Sequence, residues 1–313
     1  MRCRRVFLFF VPVFLVVTGL SVWTVAAEGQ AHYMPGYGKA DLALYLGLEG
    51  CELSEEDYRL LFLQTGLAKA GVDGLYEEGC QSCLPVLQER FFAEARVECR
   101  HVNLFLRSER LVEKADSLEG EGGETEAAGE TGAASRSVGA QWEDFLPVAQ
   151  DGDILVTFSG HVFGWRSGHA ALVVNALEGK TLEAVTYGCN SSVRSVEHWR
   201  EYPCFALLRL KGITGGQQAQ IAEYALEDFV DVPYSLFAFA GSEGEVPKAM
   251  GVSEDAVPAS TQCAHLVWAV YRHFGYDLDS DGGAVVTPGD IFRSDLLEVV
   301  QVYGIDPENI TNF

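Results

Sequence analysis

Positive charge is what this sequence has least of: 22 Lys and Arg stand against 45 Asp and Glu, for a formal net charge of −23. A phosphate backbone or an anionic membrane surface would repel such a chain, so neither is expected as a partner. Long apolar runs are also scarce. The one candidate extends from Val6 to Val25, broken by Pro12 and Gly19, behind Arg2, Arg4 and Arg5 and ahead of Ala26-Ala27-Glu28. Basic, apolar and small residues in that order predict a secretory signal over residues 1–27, and hence a secreted or cell-envelope-associated protein. The alternative is an uncleaved anchor, the single case in which a membrane becomes a partner.

The third absence concerns metal sites. No second Cys-x-x-Cys and no paired histidines accompany Cys80-Gln81-Ser82-Cys83 to complete a zinc tetrad, and no strand leads into it as a thioredoxin-like redox motif requires. The pair reads as the ends of two structural disulfides; no metal and no cofactor is expected. Loss of Cys3 with the signal leaves Cys51, Cys80, Cys83, Cys99, Cys189, Cys204 and Cys263. In an oxidising compartment the first four suit two bridges and Cys189 with Cys204 a local one, which leaves Cys263 as the odd thiol.

What is present is enough to fold: 48% hydrophobic and 11% aromatic residues supply one large core or two smaller ones. Residues 28–115 read as a helical module. Ser54-Glu55-Glu56-Asp57 resembles a capping box, Tyr58, Leu61, Phe62 and Thr65 line one face before Gly66, and a second helical run covers Leu84 to Ala95. Residues 116–140 turn to Glu, Gly, Ala, Ser and Thr, an acidic flexible linker. Residues 141–313 open with a turn at Asp151-Gly152 and a β-rich run to Phe158. Two strands follow, Gly168 to Asn175 and Thr181 to Tyr187, joined by a Gly179 turn into a hairpin. A strand over Phe205 to Leu210 and an amphipathic helix over Gly216 to Val230, with Ile221, Tyr224, Ala225 and Phe229 inward, complete an α+β pattern.

The stretch from Ser260 to Gly275 carries the chemistry. Cys263, Leu266, Val267, Val270, Tyr271 and Phe274 form one helical stripe, Gly275 stops it, and Ser260 or Thr261 can cap it. Cys263 then sits in the first turn, where free N–H groups and the helix dipole favour thiolate. A buried core cysteine fits the same pattern. A nucleophilic thiol needs a base, and His169, opening a hydrophobic strand after Gly168, is the best placed. His161, His198, His265 and His273 are weaker bases, since none begins a strand and the last two lie on the cysteine helix itself.

Taken in order, Gly152-Asp153, Gly168-His169, Glu183-Ala184, Val232-Pro233-Tyr234, Cys263 heading a Leu-Val-Trp helix, Gly275-Tyr276-Asp277-Leu278 and Thr287-Pro288-Gly289-Asp290-Ile291 resemble the YiiX-like family. These are NlpC-type papain-fold hydrolases in circularly permuted order, histidine before cysteine, and the resemblance spans roughly Asp151 to Val300. It implies an antiparallel sheet packed on the nucleophile helix, with Cys263 as nucleophile, His169 as base, Glu183 orienting the imidazole and the Cys263 N–H helping to hold an oxyanion. Tyr234 is similar to a tyrosine that borders the family's site. Two features depart from the pattern. Ala264-His265 stands where a small hydroxyl residue and an acid are commoner. In a regular hairpin, residues near Tyr187 or Gly188 face His169, so Glu183 needs a β-bulge to reach it; Thr186, Tyr187 or Asn190 could orient the ring instead.

Asp277-Leu278-Asp279-Ser280-Asp281-Gly282 opens like a calcium loop, but position twelve is Pro288, and a solvated acidic turn fits better. Asn190-Ser191-Ser192 and Asn309-Ile310-Thr311 match the glycosylation triplet. The function these signals imply is an exported thiol hydrolase, a peptidase or amidase, with a peptide or amide substrate and, in a bacterium, peptidoglycan as a candidate. The alternatives are an acyltransferase or lipid amidase on the same fold, or a non-catalytic binding module with Cys263 in its core.

Overall fold

The computed structural model describes residues 35–47, 53–93, 145–159, 161–162, 165–166, 168–235, 238, 259–308 and 310. The expected signal, the linker 116–140, Cys51, Cys99, Asn309 and Thr311 lie outside them.

The fold is mixed helix and antiparallel sheet, as the sequence implies. Six strands form one sheet: β1 Ile154–Thr157, β4 His169–Asn175, β5 Lys180–Glu183, β6 Ser192–Ser195, β7 Phe205–Leu210 and β8 Leu297–Tyr303, in the order β6-β5-β4-β1-β7-β8. Two short strands, β2 His161–Val162 and β3 Trp165–Arg166, pair separately between β1 and β4. Antiparallel sheets often leave one face wet. Here both are covered, which is why β1 and all but the last residue of β4 are buried throughout.

One face carries Ile154, Val156, Ala170, Leu172, Leu182, Ala206 and Leu208 into a core with three C-terminal helices, α5 Gly215–Asp228, α6 Cys263–His273 and α7 Pro288–Arg293. The other carries Leu155, Ala171, Val173 and Leu207 against the N-terminal helices. These are α1 Ala43–Leu46, α2 Glu55–Thr65, α3 Lys69–Glu77 and α4 Leu84–Phe92, the last two separated by a 3-10 turn at Gln81–Cys83. The N-terminal helices therefore share a core with the sheet across the linker. They are also stitched to β8 by backbone: Val302 N–H donates to Gly66 O at 2.7 Å and Ala68 N–H to Val300 O at 3.0 Å. Glycine is required there, because a Cβ on Gly71 would stand 2.2 Å from the Val300 carbonyl oxygen.

Local signals hold at several ends. Ser54 and Asp57 form the capping box of α2, and Gly66 ends it in the left-handed conformation at φ 76°. Thr214 with Gln217 and Thr287 with Asp290 cap α5 and α7 in the same way. Other boundaries move. The strand expected to reach Tyr187 ends at Glu183, where the chain leaves the ladder, and the second helical run stops at Phe92. The expected Cys189–Cys204 bridge is not seen, since both are free thiols and no bridge joins any two of the described cysteines; the two first-half bridges would need Cys51 and Cys99, which lie outside the described residues. Cys204 Sγ lies 3.3 Å from Ser159 Oγ instead, so cysteine parity does not single out Cys263.

Candidate active site

Cys263 begins α6, whose first nine residues are all buried. The cap is neither Ser260 nor Thr261 but Gln262, whose Oε1 accepts from Ala264 N–H at 3.1 Å while its Nε2 donates to Val286 O at 2.7 Å. Its reach explains the difference, since an amide held at both ends fixes the helix start more firmly than a hydroxyl with a single bond. The Cys263 thiol also points at Gln262 Oε1, 3.4 Å away. Cys263 N–H, at the first helical position, has no acceptor within the helix and faces outward with the dipole's positive end.

Tyr234 is brought to the same helix end by a parallel bridge to Thr261, with Thr261 N–H donating to Pro233 O at 2.8 Å and Ser235 N–H to Thr261 O at 2.7 Å. Burial and the neighbouring charge of Cys263 both raise the acidity threshold of its phenol, so it stays neutral.

His169 opens β4 opposite Thr157 on β1. The turn before it depends on Gly168: φ is 69°, and a Cβ would stand 2.6 Å from Thr157 O and 3.2 Å from Pro288. Cys263 is close enough to the His169 ring to help raise its pKa. The His169 Nε2 lies 2.6 Å from Glu183 Oε2.

Glu183 reaches the ring through a β-bulge. Asn175 pairs with Lys180 but Val173 with Thr181, which leaves Val174 as an extra residue on β4. Continued without that insertion, the Asn175 register would set Glu183 opposite Leu172, on the face away from His169. With it, Leu172 pairs with Leu182 and Glu183 falls opposite Ala171, on the His169 face and diagonal to the ring. Of the other residues considered for this role, Thr186 and Tyr187 lie beyond the end of β5, and the Asn190 amide donates to Asp231 at 2.7 Å.

The Glu183 carboxylate is almost wholly enclosed by donors. Thr181 Oγ1 lies 2.5 Å from Oε1, Trp199 Nε1 3.2 Å from the same oxygen, and His198 Nε2 3.2 Å from the carboxylate. Trp199 also stacks on the His169 ring, centroids 5.6 Å apart and planes 21° from parallel, and excludes water from one side of it. The sequence reading misses Trp199 and Thr181 and ranks His198 only as a weaker base. Their cue is faint: Trp199 and His198 arrive because β6 runs into a 3-10 turn over Val196–Glu201, while Thr181 stands two residues before Glu183 on β5.

Exposure falls along this chain of groups, from 9% at Cys263 to 5% at His169 and 1% at Glu183, so the sulfur is the end a substrate reaches. Burial pushes the His169 ring toward neutrality, yet the nearby Cys263 and the bond to Glu183, with the charges of both, outweigh that and hold its pKa up to about 10. Glu183 is held well below the usual carboxylate range: burial opposes its charge, and His198 and His169 overcome the opposition.

Two further motifs neighbour the site. Asp153 forms a two-pronged ion pair with Arg209 at 2.7 and 2.8 Å, and Tyr271 of α6 donates to Gly152 O, which ties the nucleophile helix to the start of β1. In the acidic turn, Asp277 is engaged by Trp268 Nε1 at 2.9 Å and Arg272 at 3.0 Å. Among the described residues, Asp279, Asp281 and Asp290 each bring a carboxylate oxygen to within 4.8 Å of the others, a group that could hold a metal ion; Asp279 and Asp281 also accept from turn N–H groups, and Asp290 accepts from Thr287 N–H at the start of α7.

No family model matches the chain, and no curated protein matches it. A solved structure that does is that of YiiX from Escherichia coli O157:H7, described as a metalloprotein, at 18% identity and a TM-score of 0.36, over 48% of this chain and 96% of that one.

Proposed function

We propose that the protein is an exported thiol hydrolase, a peptidase or amidase with a permuted papain-like arrangement, that cleaves an amide through Cys263, His169 and Glu183. The observation that carries this reading is a buried imidazole held at 2.6 Å by a buried carboxylate and close enough to a sulfur at a helix N-terminus to be shifted by it. A core cysteine needs none of these partners. The ordered sequence motifs add to it, and the basic, apolar and small residues of positions 1–27 support export.

In this reading the sulfur attacks the carbonyl carbon, a C–S bond forms and the carbonyl π pair moves to oxygen beside the Cys263 N–H. His169 gives its proton to the leaving nitrogen as the C–N bond breaks. Water then attacks the thioester, its proton passes to His169, and the C–S bond breaks to return the sulfur. Glu183 keeps the ring oriented and its positive form stable throughout. The substrate is a peptide or other amide, with peptidoglycan peptides the candidate in a bacterial envelope.

The test is the alkylation rate of each described thiol by iodoacetamide at pH 6, read by mass spectrometry. Cys263 is expected to react faster than Cys189 and Cys204, and H169Q to slow it by about tenfold or more. A Cys263 rate equal to that of the other two would leave the hydrolase reading without its nucleophile.

A further inference from the structure

Glu183 serves two imidazoles, and the reaction just described uses only one. His198 stands on the other side of the carboxylate, its Nε2 3.2 Å from it, while its Nδ1 lies 2.6 Å from Ser195 O. A carbonyl and a carboxylate both only accept, so the two bonds exist together only when both ring nitrogens carry hydrogen. With both nitrogens bearing hydrogen, the ring would bring Glu183 a positive charge as well as a donor. Among the groups that lower the carboxylate's proton affinity, His198 charge is the largest.

We propose that His198 is a positioning residue for the Cys263–His169 pair: it anchors the Glu183 carboxylate and shares its charge, so that His169 receives only part of it. The groups that face it are Glu183 from β5, with His169 of β4 and Cys263 of α6 behind that carboxylate. Trp199 and Tyr202 from its own turn flank it, their ring centroids 6.1 and 6.5 Å away. The ring is part-buried, with 16% of its side chain exposed, whereas Glu183 has none. Changes in the solvent therefore reach the closed end of the site through His198. The consequence for catalysis is a moderated base: an imidazole with undivided access to a buried carboxylate would hold its proton too firmly to give it to a leaving amine.

This inference rests on the proposed pairing of His169 with Cys263, but its test does not need Cys263 to react. Histidine side chains labelled with 15N are titrated by NMR in the full chain, with H169Q and H198Q used for assignment. H198Q keeps an N–H donor near the Nε2 position and removes the charge. The His169 midpoint is expected to rise by about one pH unit relative to wild type. The rise should shrink to within error when E183Q is present in both members of the comparison, because the two rings communicate through that carboxylate. An unchanged or lower midpoint in H198Q overturns the proposal, as does an equal rise in the E183Q background. Should H198Q not fold, E183Q alone decides. Resonances of both His169 and His198 must move; movement of His169 only means that His198 is not seated on Glu183. Failure of the hydrolase reading would appear separately, as slow alkylation of Cys263 with this coupling intact.

Discussion

At the scale of single residues, the buried His169–Glu183 pair links stability to pH in two directions. His169 has a folded pKa of about 10 against an ordinary value of 6.5, so its contribution is complete below 6.5 and is lost as pH rises through about 10. Glu183 lies well below its ordinary 4.5, so its contribution is complete above 4.5 and is lost as pH falls through its lowered folded value. Both act fully between pH 4.5 and 6.5. Melting temperatures across pH are expected to be highest in that window for the wild type, and E183Q to flatten the profile on both sides. A wild-type optimum above pH 9 would contradict the pairing. Cys263 and His169 are legible in the sequence because each is set by a local pattern, a helical stripe and a strand start. His198, Trp199 and Thr181 are not, because they meet at Glu183 from a turn and a neighbouring strand position that no short pattern joins.

At the scale of elements, two details decide whether these residues meet. The first is the bulge at Val174, and hairpin length alone does not reveal it, because one residue more or less moves Glu183 to the opposite face. Deleting Val174 is expected to place Glu183 among Leu172 and the α6 core, to destabilise the fold by several kcal/mol as a buried charge loses its partners, and to reduce alkylation of Cys263 to the rate in E183Q. Denaturant unfolding and the iodoacetamide rate check the two parts separately. The second detail is Gly168. An alanine there faces both a left-handed backbone and the Thr157 carbonyl, at a cost of about 1–3 kcal/mol. G168A is expected to lower the unfolding midpoint and to slow Cys263 alkylation together, since the residue that must shift adjoins His169.

At the scale of the whole molecule, the sequence suggests a division that the packing does not follow. A polar linker between residues 116 and 140 reads as a boundary, and the helices before it are amphipathic enough to read as a module. What the pattern omits is that β1, β4 and β7 have apolar residues on both faces, which requires a second cover, and the N-terminal helices supply it. Their core also holds Trp199, the residue stacked on His169. Loosening α3 or α4 is therefore felt at the site through Trp199. Leu75 and Leu87, at 0% and 2% exposure, lie in that second core, and L75A or L87A should each cost about 2–5 kcal/mol. Because Leu155, Ala171 and Leu207 belong to the same strands that build the α6 face, the loss should lower one cooperative transition for the entire molecule. Far-ultraviolet circular dichroism, which follows all the helices, and the alkylation rate of Cys263, which follows the site, should report the same denaturant midpoint in L87A. Two separated midpoints, with Cys263 still protected after the N-terminal helices have melted, would mean that the second face can be uncovered without disturbing the first.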